Sequence, residues 1–483
     1  MAVPTSHSAP AIPICTARTA HRSALSTATA LATHRTAFLF MFAHLHVRSW
    51  FSFQSGGSSP AALAQRAATL GQSALALTDR NGVYGVVRFQ KACREHGIKP
   101  IVGAEAVVEG APLVLLAASR DGYANLCRLL TAAQQRDRHE PSATFQELQK
   151  HAGDLFCVTG APTSRVGEHL AAGAPAKART RLRKLRAVFD ERLSLEVTHH
   201  LLPDDATRIQ RIARLGDDLG VPLLATGDVR YATPDDYRRY DLLMCIREGI
   251  EVFDTAHHRP RNAEAYLKPE SKLRQLIPYD EAFQRAGEIA AACSVDLLPE
   301  RIATPSSRLG DGNPSATLRR LCQKALQRKY SRKDRPVAAR QMHDELDTIT
   351  NLDLADFFLV VREIIQEARR RGIRCAGRGS AANSIVAYLL DITAVDPIKH
   401  NLLFERFLHG GRKGTPDIDV DFDSSRRDEI IQWMEERFGI SQTAMTATVV
   451  MYRLRSALRD VAKALGWPLN TIDKLTASVP RRN

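Results

Sequence analysis

The 483-residue chain has no CxxC pair, no long apolar run, no internal repeat and, over its first forty residues, no acidic side chain. Each absence excludes something. Eight cysteines scattered from Cys15 to Cys375 suit neither a zinc ribbon nor a disulfide framework, and point to reduced thiols in a cytoplasmic protein. The longest apolar stretch, "AFLFMF", falls far short of the roughly 18 residues a membrane span needs, so no membrane role is expected. Residues 1–41 carry Arg18, Arg22 and Arg35 among many Ala, Ser and Thr, with little periodic pattern to bury. They read as a disordered or mis-started extension.

What remains has an ordinary globular composition, 44% hydrophobic and 25% charged, and is long enough for two or three domains. The net charge of +14 suits a polyanionic partner such as nucleic acid. Two basic stretches stand out, "KARTRLRKLR" at 177–186 and "RRLCQKALQRKYSRKDRPVAAR" at 319–340. Such runs are usually solvated helix faces; neighbouring motifs would have to make them phosphate contacts.

From 42 to 265, short apolar runs ("SALALTD", "IVGAE", "PLVLLAA", "DLFCVTG", "LSLEV", "PLLATGDV") alternate with helical patterns, which predicts a parallel α/β sheet or barrel. Asp79, Glu105, Glu196 and Asp228 fall at the ends of these runs, where α/β barrels carry their active sites.

Farther on, "GTPDIDVDFD" sets Asp417, Asp419, Asp421 and Asp423 at every second position, with Ile418, Val420 and Phe422 between them. Side chains alternate across a strand, so the acids share one face and the apolar residues the other. Like charges about 7 Å apart repel unless a cation lies between them, most simply a divalent metal. A half-buried strand whose acids face water or pair with the arginines of "SSRRDE" is the plain alternative. Some forty residues earlier, "GRGSAANS" at 377–384 follows a short strand, "IRCA", and opens a helix. Its glycines permit close backbone approach, the helix start offers N–H groups, and Arg378 and Ser380 add a charge and a hydroxyl. A phosphate cradle beside an Asp-x-Asp strand suits metal-assisted phosphoryl or nucleotidyl transfer.

"GRGSAANSIVAYLLDITAVDP", "LLFERFL" and "PDIDVDF", in that order, resemble the palm of bacterial C-family DNA polymerases, the α subunit of DNA polymerase III. "TATVVMYRLRSALRDVAKALG" is similar to the error-prone, damage-tolerant branch, and the upstream half resembles the polymerase-and-histidinol-phosphatase (PHP) domain. The resemblance implies a PHP-type (β/α) barrel at 42–265, an α+β nucleotidyltransferase-like palm at 266–440 and a partial helical thumb at 441–483. It implies Asp417 and Asp419 as catalytic ligands of Mg²⁺, Gly379 and Ser380 as phosphate contacts, and Arg378, Arg406 and Arg412 as supporting cations. Primer-template DNA and deoxynucleoside triphosphates are the implied partners, with a sliding clamp and mutagenesis accessory proteins reached through other parts.

Two departures follow. The family's third catalytic aspartate lies beyond the thumb, past Asn483, so the chain is expected to be a fragment with little polymerase activity alone. And where the metal-binding PHP site carries "HxH", "TDHD" and "DVHY", this chain has Arg48, Arg80 and Arg230 at three histidine positions. A guanidinium has no lone pair for a metal. His46, Asp79, Glu105 and Asp228 therefore form a degenerate site, expected to lack metal, with His199 and His200 as remnants or exposed loop residues. A PHP-type phosphoesterase or exonuclease, or a non-catalytic nucleic-acid-binding module, are the alternatives.

Overall fold

The computed structural model describes residues 42–255, 259–298, 305, 312–408, 417–446 and 448–480. They form two packing units, one reaching Leu298 and joined by the segment from Val449, the other spanning 299–448. The first unit thus continues past residue 265 to Leu298. Helices Glu270–Leu276 and Asp280–Ala292 bury Leu273, Phe283, Ala286 and Ile289 in the first unit's core.

The first unit is built on a sheet of six strands in sequential order: β1 (Ala74–Arg80), β2 (Lys99–Val108), β3 (Ala111–Ala117), β4 (Leu155–Thr159), β5 (Leu193–Val197) and β6 (Leu223–Ala225). The apolar runs seen in sequence are these strands, and nearly every strand residue is buried, as expected of a sheet covered on both faces. The sheet is mixed, not wholly parallel: β3 runs antiparallel to both β2 and β4. The cause is local. Glu109 and Gly110, the two residues between β2 and β3, have φ of 51° and 76°, the pair of positive values that a type I′ hairpin turn requires. Residues 44–48 curl the sheet towards closure. Ala76 and Thr78 of β1 donate to the carbonyls of His44 and Val47, while Arg48 and Val229 bond reciprocally to Val229 and His46 on the other side.

Helices cover this sheet. Pro60–Thr69 starts where sequence signals place a start, with Ser59 capping Ala62 and proline at the first position. Pro175–Phe189 buries Ala178, Leu182, Leu185 and Phe189 along one stripe, leaving the basic residues of 177–186 to the other faces. Helices Leu454–Ala464 and Leu469–Ser478 belong to this unit too: Val252 donates to Ala464 (2.8 Å), and Tyr452 stacks on Phe53 at 5.4 Å and accepts from Gln54.

The second unit is mainly helical, with Pro314–Lys329, Arg335–Asn351 and Ala355–Arg370 packed around a core that includes Leu318, Met342, Leu346 and Phe358. Helix Ala355–Arg370 ends at Gly372, whose φ is 69°, and the chain enters a two-stranded antiparallel ribbon, β7 (Cys375–Arg378) against β8 (Asp419–Phe422). Between them lie a 3₁₀ turn, Gly379–Asn383, and a short helix, Ile385–Leu389.

Candidate functional site

At one end of the first unit's sheet, His46 is buried with a carboxylate on each side. Its Nδ1 lies 2.9 Å from Glu196, and its Nε2 lies 3.2 Å from Glu105 and 3.4 Å from Asp228. Burial alone would lower the imidazole's pKa, but Glu196 and Asp228 outweigh it and raise the pKa above the ordinary histidine value. Arg48, 5% exposed, pairs with Glu105, and Arg230 pairs with Asp228 at 2.7 Å. Arg80 approaches Glu105 at 3.9 Å from a half-exposed position.

Asp79 does not join this group. Parallel pairing sets Arg80 opposite Glu105 and Asp79 opposite Ala104, so Asp79 points to the other face of the sheet. It accepts there from the Ser49 amide (2.7 Å), the Ser49 hydroxyl (2.8 Å) and the Ser52 hydroxyl (2.7 Å), while burial pushes its pKa up to about 6. His199 faces Asp205 (3.5 Å), and His200 bonds the Gly227 carbonyl, so neither is held by Asp79 or Glu105. In the sequence Glu196 is only a strand-end acid. The structure makes it the main partner of His46, a pairing across 150 residues that no local pattern reveals. Among the described residues, no three His, Cys, Asp or Glu side chains are disposed to hold a metal ion. Two of the three arginines lie buried against the acids instead.

The second candidate site is the β7–β8 ribbon. Antiparallel register places Arg378 opposite Asp419 and Ala376 opposite Asp421, so these four share a face, while Ile418 and Val420 pack against the unit's core. Arg378 bridges the acids, with Nε 2.9 Å from Asp421 and Nη1 3.4 Å from Asp419. The hydrogen bond to Asp421 and the charges of Asp419, Asp421 and Asp417 raise the pKa of the guanidinium. Asp417 is exposed just before β8 and makes no ion pair with any described residue. Asp423 caps its own turn, accepting from the Ser425 amide and hydroxyl, and so is structural.

Both glycines of the turn have a geometric reason. A Cβ on Gly377 would meet the Ile392 carbonyl at 2.6 Å, and Gly379 has φ of 70°, with a would-be Cβ 3.4 Å from Asp419 Oδ2. The turn backbone and the Asp419 carboxylate are therefore immediate neighbours. Ser380 is half-buried, and its carbonyl accepts from Asn383. Exposed Arg406 ends a 3₁₀ turn, Phe404–Arg406, that lies against Gly379–Asn383. Arg412 lies outside the described residues.

One expectation is corrected. The N–H groups at the start of helix Ile385–Leu389 are not free for a phosphate: Ile385 and Val386 donate to the buried carboxylate of Glu345, and Ala387 donates to Ser384 Oγ. Arg378 and Gly379 remain beside Asp419, at the exposed end of the ribbon.

Comparison with known proteins finds two families in the chain. Residues 44–200 match the PHP domain model, and residues 316–483 match that of the bacterial DNA polymerase III alpha NTPase domain. An error-prone DNA polymerase of Symbiobacterium thermophilum is 38% identical over 91% of this chain, and one of Pseudomonas fluorescens is 39% identical over 90%. The chain spans 42% and 41% of those relatives' lengths. Among solved structures, an amidohydrolase from Chromobacterium violaceum aligns with 39% of this chain and 87% of its own at 16% identity, with a TM-score of 0.29.

Proposed function

As residues 44–200 belong to the PHP family and residues 316–483 to the bacterial DNA polymerase III alpha family, we propose that the chain serves template-directed DNA synthesis of the error-prone, damage-tolerant kind. Its partners are then primer-template DNA and deoxynucleoside triphosphates in the cytoplasm, with a clamp and accessory proteins engaged by the larger polymerase. Among the described residues, no helix is long and apolar enough to cross a membrane.

The observation that carries the proposal is the β7–β8 register, which sets the Gly379 backbone against Asp419. Asp417 and Asp419 offer hard carboxylate oxygens open to solvent, the donor type magnesium prefers, and would hold the ion there. Bound Mg²⁺ would neutralise charge on the triphosphate. Arg378, exposed and paired with both Asp419 and Asp421, would turn to a phosphate, while Gly379 and Ser380 would present backbone and hydroxyl. Arg406 and Arg412 supply further positive charge.

The barrel has a different role in this proposal. Arg48 and Arg230 supply to Glu105 and Asp228 the positive charge a metal would otherwise bring, so the unit folds as a scaffold without phosphoesterase chemistry. The ribbon assignment is tested by titrating the chain with dATP in Mg²⁺ and in EDTA. Magnesium-dependent binding should disappear in Asp419→Ala and persist in Asp423→Ala; equal binding in the parent and Asp419→Ala would refute it.

A further inference from the structure

Glu345 is a carboxylate in an apolar core. It sits on helix Arg335–Asn351, 1% exposed, among residues that include Met342, Leu346 and Ile349, and has no cationic partner among the described residues. An ionisable group in such a place is expensive unless its lone pairs are fully used. They are. Oε1 accepts from Ile385 N (3.0 Å) and Gln341 Nε2 (3.0 Å), and Oε2 accepts from Ser384 Oγ (2.7 Å) and Val386 N (3.1 Å). Ser384 Oγ in turn accepts from Ala387 N (3.1 Å).

Three of these four donors lie in the segment directly after the Gly379–Asn383 turn. The carboxylate thus fixes where the chain enters helix Ile385–Leu389, while the Gly377 bond to the Ile392 carbonyl fixes where it leaves β7. With both ends anchored, Gly379 is held beside Asp419. We propose that Glu345 is a positioning residue for the Arg378–Ser380 cradle, an inference that rests on that turn receiving a triphosphate.

A proton on Glu345 would remove one acceptor site but relieve the larger cost of burying a charge, so it favours the closed, anchored state. Burial pushes its pKa up to about 7. Among the titratable and charged groups around it are Cys322, whose thiol burial pushes up to about 12, and Tyr330, whose phenol is raised further; Arg340, Asp344 and Glu405 line the same cavity. Neither Cys322 nor Tyr330 titrates near neutrality, and comparison with Glu345→Gln separates a response of Glu345 from one of the other groups.

The test is amide hydrogen exchange on the full chain between about pH 6 and pH 8, corrected for intrinsic rates, together with Mg²⁺–dATP binding. In the parent, protection of the 384–387 amides should rise as pH drops through about 7, while that of helix Ala355–Arg370 stays level. In Glu345→Gln this pH dependence should vanish, with protection at 384–387 and nucleotide affinity each lower by about tenfold, the scale of one lost charge-assisted hydrogen bond. If that variant does not fold, the parent's pH series decides alone. Nucleotide binding with pH-invariant protection in the parent would overturn the Glu345 assignment only. The expected exchange pattern without nucleotide binding would overturn the cradle and with it the positioning role, leaving Glu345 a structural cap.

Discussion

Arg48→Met in the barrel cluster tests whether an arginine has taken over the work of a metal. Arg48 and Glu105 are 5% and 1% exposed, so this is a desolvated pair and not a surface one. Removing one partner of a buried pair typically costs about 3–5 kcal/mol, because the other charge is left stranded. Glu105 would keep His46 at 3.2 Å, while Arg80 at 3.9 Å is too distant to bond it, so the expected loss is at the lower end, about 3 kcal/mol. With a denaturant slope of about 3 kcal/mol/M, the urea midpoint should fall by about 1 M. The assay is urea unfolding followed by fluorescence in a Trp433→Phe background, since Trp50 and Trp467 both belong to the first unit. Methionine keeps most of the volume, so a cavity is not the cause of any loss. Adding Glu105→Gln to Arg48→Met removes the stranded charge and should recover more than half the loss. A single-variant loss below about 1 kcal/mol, or losses that simply add in the double variant, would refute the charge-replacement argument.

The triple variant Arg48→His, Arg80→His and Arg230→His should acquire stoichiometric zinc or manganese by elemental analysis, where the parent should yield none; metal in the parent would count against a scaffold barrel. Gly379→Ala places a side chain at φ of 70° and 3.4 Å from Asp419. It should destabilise the second unit by about 1–2 kcal/mol in thermal unfolding and weaken magnesium-dependent dATP binding more than Gly372→Ala, which has the same backbone strain but open space around it. Glu345 also predicts a pH dependence of stability. Its folded pKa of about 7 lies above the ordinary glutamate value of 4.5, so the folded chain binds the extra proton. Its contribution is full below about pH 4.5 and declines by about 3 kcal/mol as pH rises through 7. Denaturant unfolding of the parent against Glu345→Gln should show this slope in the difference between the two, and a pH-independent difference would contradict it.

Much of this molecule is written in local periodicity. The strand runs of the barrel, helix Ala355–Arg370, the ribbon strand with aspartates on one face and Ile418 and Val420 on the other, and the glycine turn that precedes it all follow from spacings of two and 3.6 residues. Those spacings depend on backbone geometry alone and need no partner. Glu109-Gly110 is a local signal as well, a two-residue turn that sets β3 antiparallel to β2. What periodicity cannot supply is which distant residue stands opposite. That Asp79 turns from Glu105 depends on the register of β1 against β2, that Glu196 holds His46 depends on sheet order across 150 residues, and that Glu345 closes the helix start forty residues away depends on packing of the helical core. Four aspartates on one strand are equivalent in sequence. They become distinct only when pairing with β7 sets Asp419 against Gly379 and Arg378, gives Asp421 to the same guanidinium and leaves Asp423 to cap its own turn, because electrostatic roles are fixed by separations of a few ångströms that folding alone creates.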